Sequence, residues 1–186
     1  MRFASRELEE LSPDERRVAD RALQGPRKKV GPPFKTLLYS PGVADPIERL
    51  GEYVRYKIEI PARLSELVIL LIARHWTAQH PWMAHYRAAL EAGLTRETIE
   101  AIAAGKRPVQ LSDADAKVYD FCASLLNGEG VSDELFSALS ASYGKKGVVD
   151  LIGLIGYYIT LSMTVVVDSH VPSSSDVPPL QPLDKA

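Results

Sequence analysis

The segment 74–85, RHWTAQHPWMAH, concentrates side chains that can take part in acid–base or metal chemistry. It holds three of the four histidines and both tryptophans of the 186-residue chain. Because His75, His80 and His85 are five residues apart, their side chains are rotated by about 140° from one to the next on a continuous helix. Helical metal ligands are normally three or four residues apart. The spacing therefore argues against a metal site, and we expect neither a metal nor another cofactor.

Proton transfer is the second chemistry that these residue types support. Pro81 favours the start of a helix, which predicts His80 at the N-cap and His85 about one turn later. Glu66, in the preceding helix, lies two turns before Arg74 on roughly the same face. A carboxylate, two imidazoles and a guanidinium around one pocket provide an acid or base near neutral pH and a group that holds an anion. The predicted catalytic residues are His85, Glu66 and His80, and the predicted substrate-binding residues are Arg74, Trp82 and Trp76.

Packing explains the same residues without any chemistry, and this alternative stays open. A helical histidine is commonly a hydrogen-bonded core or interface residue. Trp76 and Trp82 pack a core as readily as they wall a pocket, and Arg74 can simply pair with Glu66. The single cysteine, Cys122, lies on an apolar helix stripe and is interpreted as a core residue.

Helix signals dominate the elements that must position these residues. Ser, Thr, Asp or Pro at helix starts and Gly at helix ends recur along the chain, whereas the alternating pattern of strands is nearly absent. The predicted starts are Ser12, Asp45, Pro61, Pro81, Thr95, Ser112, Ser132 and a position after Gly147. We predict an all-α bundle with three segments: an N-terminal helical extension and Pro/Gly loop (1–42), a helical domain (43–170), and a Pro/Ser-rich tail (171–186) that is either disordered or an extended arm.

Composition narrows the class of partner. A net charge of -2 and a pI near 6.1 provide no basic face for nucleic acid, so a small-molecule substrate or ligand is expected. One cysteine and a charged N-terminal segment without an apolar stretch lead us to expect a cytoplasmic protein. Residues 148–167 are apolar enough to span a bilayer, but Asp150 and several hydroxyl side chains interrupt the run. We expect a buried or oligomer-interface helix here and no membrane.

The stretch SELVILLIARHWTAQHPWMAHYRAALEAGLTRETIEAIAAG resembles the core motif of the carboxymuconolactone decarboxylase and alkylhydroperoxidase D-like (AhpD-like) family. VVDLIGLIGYYITLSM is similar to the C-terminal helix of that family. The resemblance covers about residues 45–168 and implies an all-α bundle that assembles into homo-oligomers, either trimers or hexamers.

The resemblance also assigns roles to residues. In the redox-active branch, a glutamate, two cysteines and two histidines form the site. The glutamate falls on Glu66 of this sequence and the histidines fall on His80 and His85. The two cysteine positions are occupied by Ala78 and Pro81. Both cysteine positions have lost their thiols, so hydroperoxidase activity is not expected. Cys122 lies far along the chain and has no resolving partner.

The other branch decarboxylates a lactone acid without a cofactor. The resemblance implies His85 as the proton donor, with Glu66 and His80 tuning it and Arg74 binding a substrate carboxylate. We therefore expect a cofactor-free lyase or proton-transfer enzyme that acts on a small, aromatic-derived carboxylic acid or lactone. The alternative is a family member without catalysis that binds a ligand or serves as a scaffold.

Overall fold

The computed structural model describes residues 2–172 and 176–183, and its regular secondary structure is helical throughout these ranges. A 3₁₀ turn at Leu8–Glu10 precedes the α-helices. The helices are α1 (Pro13–Gln24), α2 (Pro32–Leu37), α3 (Pro41–Tyr56), α4 (Ala62–His75), α5 (Gln79–Glu91), α6 (Arg96–Ala103), α7 (Asp113–Leu126) and α8 (Asp133–Asp168). The predicted all-α class is confirmed.

Side-chain caps define several helix starts as the sequence predicts. Ser12 and Ser112 each accept a hydrogen bond from the third helical residue in a capping box. Thr95 and Ser132 cap α6 and α8 in the same way, without the reciprocal bond. These caps satisfy backbone N–H groups that have no acceptor within the first turn.

Two starts predicted from proline are wrong. α3 begins at Pro41, so Pro46 lies inside it and costs one backbone hydrogen bond. The helix continues through this position because it packs against both α1 and α8. α5 begins at Gln79 with Ala78 as its N-cap, so His80 is not the cap. Pro81 is the third helical residue, where a missing N–H costs nothing since it would have no intrahelical acceptor.

α4 is the central element of the main core. It packs against α5, α6, α7 and α8, and its residues from Leu64 to Arg74 are all buried. Because the helix is surrounded on all sides, its polar side chains Glu66 and Arg74 are buried with the aliphatic ones. Such groups must find partners from neighbouring elements.

α8 joins two helices that the sequence predicts separately. Gly144, at a φ of 66°, forms the kink between them, and glycine adopts this left-handed conformation without steric cost. By length and composition α8 is able to cross a membrane, and 56% of its most apolar window is buried within the chain. Burial of this extent is also found in the core helices of globular domains.

The N-terminal extension and the tail both pack against the helical domain. Val18, Ala19, Leu38 and Ala44 form a second small hydrophobic cluster between the extension and α3. The described tail residues, 176–183, follow the extended-arm alternative, with Val177 and Leu180 buried against the chain itself. The remaining tail positions, 173–175 and 184–186, lie outside the described residues.

Candidate active site

His85 and Glu66 form a buried pair between α5 and α4. His85 Nδ1 lies 2.7 Å from Glu66 Oε2, and the two side chains are 15% and 6% exposed. The adjacent packing of α4 and α5 brings these residues together although 19 positions separate them in the chain. The carboxylate accepts from Nδ1–H, which fixes the tautomer and leaves Nε2 as an acceptor.

Arg55, in α3, holds the second oxygen of Glu66. Its guanidinium donates to Oε1 at 2.9 Å. Burial alone raises the pKa of Glu66, but the hydrogen bonds and charges of His85 and Arg55 outweigh it, so the pKa of this carboxyl group lies below its usual value. Glu66 is therefore an anion at neutral pH.

Tyr158, in α8, completes the group from the opposite side of the imidazole. Its hydroxyl lies 3.2 Å from His85 Nε2, and the two rings meet edge to face with centroids 5.3 Å apart. Burial lowers the pKa of His85, although Glu66 opposes this shift. Burial also raises the pKa of Tyr158 far above its usual value. A neutral imidazole therefore accepts a hydrogen bond from a neutral phenol at neutral pH.

We call Arg55, Glu66, His85 and Tyr158 the relay. Its order is guanidinium, carboxylate, imidazole, phenol, and each neighbouring pair is within hydrogen-bond distance. The anion beside Nδ1 stabilises an imidazolium whenever Nε2 takes up a proton. The arrangement is thus able to accept a proton at Nε2 and return it, as in general acid–base catalysis.

A second set of contacts fixes Tyr158. Tyr157 packs edge to face against it at 5.1 Å and accepts a hydrogen bond from Arg27 at 2.9 Å. Gly51 makes room for Tyr157, because a Cβ atom at this position would lie 2.5 Å from the Tyr157 hydroxyl. The N-terminal extension therefore reaches the relay indirectly, through Arg27.

His80 lies apart from the hydrogen bonds of the relay. Its ring packs edge to face on that of His170, with centroids 5.2 Å apart. Burial, followed by the positive potential of His170, His85 and Lys29, lowers the pKa of His80 to about 4. The structure therefore brings together two of the three predicted catalytic residues, His85 and Glu66, and gives the third a different partner.

Two of the three predicted substrate-binding residues, Arg74 and Trp82, hydrogen-bond to the tail, and the third is Trp76. Arg74 donates to the carbonyl oxygens of Ala103 and Gln181 at 3.1 and 2.7 Å, and Trp82 Nε1 donates to that of Pro178 at 3.0 Å. Trp76 is half-buried and meets His75 edge to face.

The alternative pairing of Arg74 with Glu66 is not formed. The two residues are two turns apart, which places them about 12 Å from each other along the axis of α4. Arg55 and His85 hold the carboxylate of Glu66 instead, and Thr77 Oγ1 accepts a further hydrogen bond from Arg74 at 2.7 Å.

Two residues of the relay are absent from the sequence-based predictions. Arg55 follows no motif, since it is one arginine among tyrosines in YVRYK. Tyr158 does leave a signal, because the pair Tyr157–Tyr158 places two phenols inside an otherwise aliphatic helix. Buried polar groups of this kind require partners, so the pair was detectable although its partner was not.

Metal and thiol chemistry have little support in the described residues. Within ranges 2–172 and 176–183, no group of three or more His, Cys, Asp or Glu side chains is arranged to hold a metal ion. Cys122 is fully buried, and burial raises the pKa of its thiol to about 12. Such a thiol is almost entirely protonated at neutral pH, and the thiolate is the nucleophile.

Comparison with known proteins gives one family. Residues 41–121 match the family model of the carboxymuconolactone decarboxylase family. No curated protein matches the chain. The matched segment contains Arg55, Glu66 and His85, whereas Tyr158 and Arg27 lie outside it. The relay therefore combines a family-matched carboxylate and imidazole with a phenol from α8.

Proposed function

Because residues 41–121 match the model of the carboxymuconolactone decarboxylase family, we propose that the protein is a cofactor-free lyase or proton-transfer enzyme that acts on a small carboxylic acid or lactone. One observation carries this proposal: His85 lies between a buried carboxylate and a phenol, with Nδ1 2.7 Å from Glu66 and Nε2 3.2 Å from Tyr158. A neutral histidine backed by an anion is suited to moving protons at neutral pH.

The proposed chemistry places His85 Nε2 at the reacting carbon. In an isomerisation, the proton on the carbon next to a carbonyl moves to Nε2, and the electrons of the C–H bond form an enolate. In a decarboxylation, the bond to the carboxylate breaks, its electrons enter the conjugated carbonyl, and carbon dioxide leaves. In the isomerisation the imidazolium returns its proton to the enolate. In the decarboxylation Nε2 first takes up a proton from solvent water, and the imidazolium so formed protonates the carbanion. In both reactions the substrate provides the electron sink, so the proposal requires no cofactor.

The resting relay must open for this chemistry. Tyr158 donates to the same nitrogen that would act on substrate, so the phenol either moves aside or passes the proton on. Arg55 keeps Glu66 ionised through the change and acts as a positioning residue.

The test is isotope exchange with matched histidine variants. Unsaturated lactone acids, including γ-carboxymuconolactone, are incubated with the protein in D₂O, and NMR follows both loss of substrate and carbon-bound deuterium. We expect His85→Asn to lower the rate about 100-fold or more, the typical contribution of one general acid–base group. His75→Asn, at an exposed position, is the control and is expected to keep the wild-type rate. A folded His85→Asn protein with the wild-type rate would refute the proposal.

A binding-only member of the family is the second candidate, and one observation favours it. Both nitrogens of His85 have partners, and Tyr158 is only 4% exposed. In this case the relay stabilises the fold. His85→Asn would then lower the melting temperature while ligand affinity stays unchanged and no substrate in the panel turns over.

Thiol-based peroxidase activity is the least supported candidate. Ala78 and Pro81 occupy the positions where the sequence resemblance places cysteines, and Cys122 is buried. The chemistry requires an accessible thiolate and a thiol that resolves its oxidised form. We expect the purified protein not to consume hydroperoxides.

We also propose that copies of the chain assemble through α8, as trimers or hexamers. Several apolar side chains on one outer stripe of this helix remain exposed in the single chain: Val149, Ile152, Met163 and Val167. Contiguous exposed apolar surface commonly marks an interface between chains. Light scattering of Ile152→Glu tests this, with a smaller particle than wild type as the expected result and an unchanged mass as the contrary one.

A further inference from the structure

The N-terminal extension encloses a cavity that is separate from the relay. It has a volume of about 250 Å³ and lies between the 3₁₀ turn, α1 and α2. Five aliphatic side chains form its apolar wall: Leu8, Leu11, Leu23, Val30 and Leu38. All its lining residues fall between positions 6 and 38, outside the family-matched segment 41–121. Any ligand binding in this cavity is therefore a property of the N-terminal extension and not of the family-matched segment.

The charged residues of this cavity are predominantly basic. Arg6, Lys28, Lys29 and Lys35 line it together with one acid, Glu7, although the whole chain has a net charge of -2. Arg6 is already paired with Glu15 at 2.7 Å. The three lysines form no ion pair with any described carboxylate. The cavity therefore combines aliphatic walls with three unneutralised ammonium groups.

The basic residues on a neighbouring surface of α1 differ from the cavity lysines, because they are paired with acidic residues. The arginines of that surface are all matched with acids: Arg16 with Asp20, and Arg17 and Arg21 with Asp45. Two of the three lysines donate to neutral oxygens of the described residues, Lys28 to the Gln24 carbonyl at 3.1 Å and Lys35 to Ser5 Oγ at 3.5 Å. An anion is thus accommodated at the cavity without displacing an existing ion pair.

We propose that this cavity is a binding site for an organic monocarboxylate with a compact apolar body. Burial of the apolar body against the five aliphatic side chains would provide affinity, and the lysines would provide charge-assisted hydrogen bonds to the carboxylate. An apolar cavity of about 150 Å³ is known to bind benzene, so this larger one has room for a phenyl-substituted acid or a medium-length aliphatic acid. The proposal is independent of catalysis at His85.

The experiment is calorimetric titration of the full chain with four probes. Octanoate and 3-phenylpropanoate represent the aliphatic and aromatic sources of such an acid, 1-octanol has the apolar body without the charge, and inorganic phosphate has the charge without the apolar body. We expect one or both acids to bind about tenfold or more tightly than octanol, because a hydrogen bond to a charged group is worth more than 1 kcal/mol. Phosphate is expected not to bind. The tighter of the two acids identifies the source.

Matched lysine variants locate the binding. The double variant Lys29→Gln/Lys35→Gln changes two exposed lysines of the cavity and is expected to weaken binding of the acid about tenfold. Lys106→Gln, an exposed lysine that does not line the cavity, is expected to leave it unchanged. Leu23→Phe, which fills the cavity, should also weaken binding. Equal affinity for octanol and octanoate, equal affinity of the lysine double variant and wild type, or no binding of either acid would overturn the proposal.

Discussion

His85 and His80 occupy the same helix, and the difference between them shows what makes an imidazole fit for proton transfer. Burial lowers the pKa of both. His85 has the Glu66 carboxylate on one nitrogen and the Tyr158 hydroxyl on the other. His80 instead packs against a second imidazole, that of His170. The two histidines share their desolvation and differ in the charge placed beside them.

That difference decides which protonation states are accessible. The anion at Nδ1 opposes the burial of His85 and lowers the energy of its imidazolium, so a proton can be taken up and released. His80 has no anion of this kind to oppose its burial, and the charges of His170, His85 and Lys29 act further against its protonated form. His80 consequently stays neutral down to a pH of about 4 and makes a poor acid or base at neutral pH.

The largest expected effect comes from removing the anion that distinguishes His85. Glu66→Gln leaves Arg55 without its counter-charge and weakens the bond to His85. Breaking one partner of a buried pair costs about 3–5 kcal/mol; we expect about 2–4 kcal/mol here, because Arg55 is 23% exposed at its side chain. Urea denaturation measures the change.

Glu48→Gln is the matched control for this variant. Glu48 is also buried, but burial raises its pKa, and its Oε2 has no hydrogen-bond partner among the described residues. Neutralising it is expected to change stability by less than about 1 kcal/mol. A similar loss in both variants would show that burial, and not the counter-charge, distinguishes these sites.

The second effect is the acid sensitivity contributed by His80. Its pKa is near 6.5 when unfolded and about 4 when folded, so between these values the unfolded state binds more protons and stability falls as the pH is lowered. The full shift corresponds to roughly 3 kcal/mol, complete by about pH 4.

His80→Gln should remove this part of the pH dependence. Urea unfolding at pH 7 and pH 4 gives the loss of stability for each protein, and we expect a smaller loss in the variant. Since His85 also has a lowered pKa, only the difference between the two proteins reports on His80. Parallel curves for wild type and variant would contradict the assignment.

The sequence predicts much of the fold because its helix signals are local. Ser12, Thr95, Ser112 and Ser132 each act within one turn, so the structure has caps where the residue types require them. The proline rule fails at Pro46 because tertiary packing of α3 prevails over the local preference. At Pro81 it fails because the first turn tolerates proline at more than one position.

The candidate site was predictable only as far as consecutive helices define it. Glu66 and His85 lie on neighbouring helices, so the sequence predicts them as one site, partly through the family resemblance. Tyr158 is 73 positions from His85, and the direction from which α8 approaches follows from the packing of the whole bundle. Arg74 shows an error in the other direction. The sequence predicts it in one site with Glu66 because both lie on the same face of α4, but two helical turns separate them.

A smaller effect is expected from removing the phenol on the other side of His85. Tyr158→Phe deletes the donor to Nε2, and a hydrogen bond to the neutral imidazole disfavours its protonation. The pKa of His85 should therefore rise, with a loss of stability of about 1 kcal/mol. NMR titration of the His85 ring measures the pKa directly.

Tyr157→Phe separates the hydrogen bond from general packing. It removes the bond from Arg27 and keeps the contact between Tyr158 and His85. We expect the pKa of His85 to stay at its wild-type value in this variant. If Tyr157→Phe and Tyr158→Phe shift the pKa of His85 equally, the effect does not come from the hydrogen bond between Tyr158 and His85.

The smallest expected effect concerns Cys122, a fully buried titratable group without a counter-charge among the described residues. Desolvation alone raises its pKa to about 12, so the thiolate fraction near pH 8 is about one in ten thousand. A chromogenic disulfide reagent should leave the native protein unlabelled and label one thiol in urea, with Cys122→Ala unlabelled in both. Rapid labelling of the native protein would contradict this and would show that the Cys122 thiol is reactive despite its burial. Absence of labelling would extend the contrast between His85 and His80, since burial without a counter-charge keeps a thiol neutral as it does an imidazole.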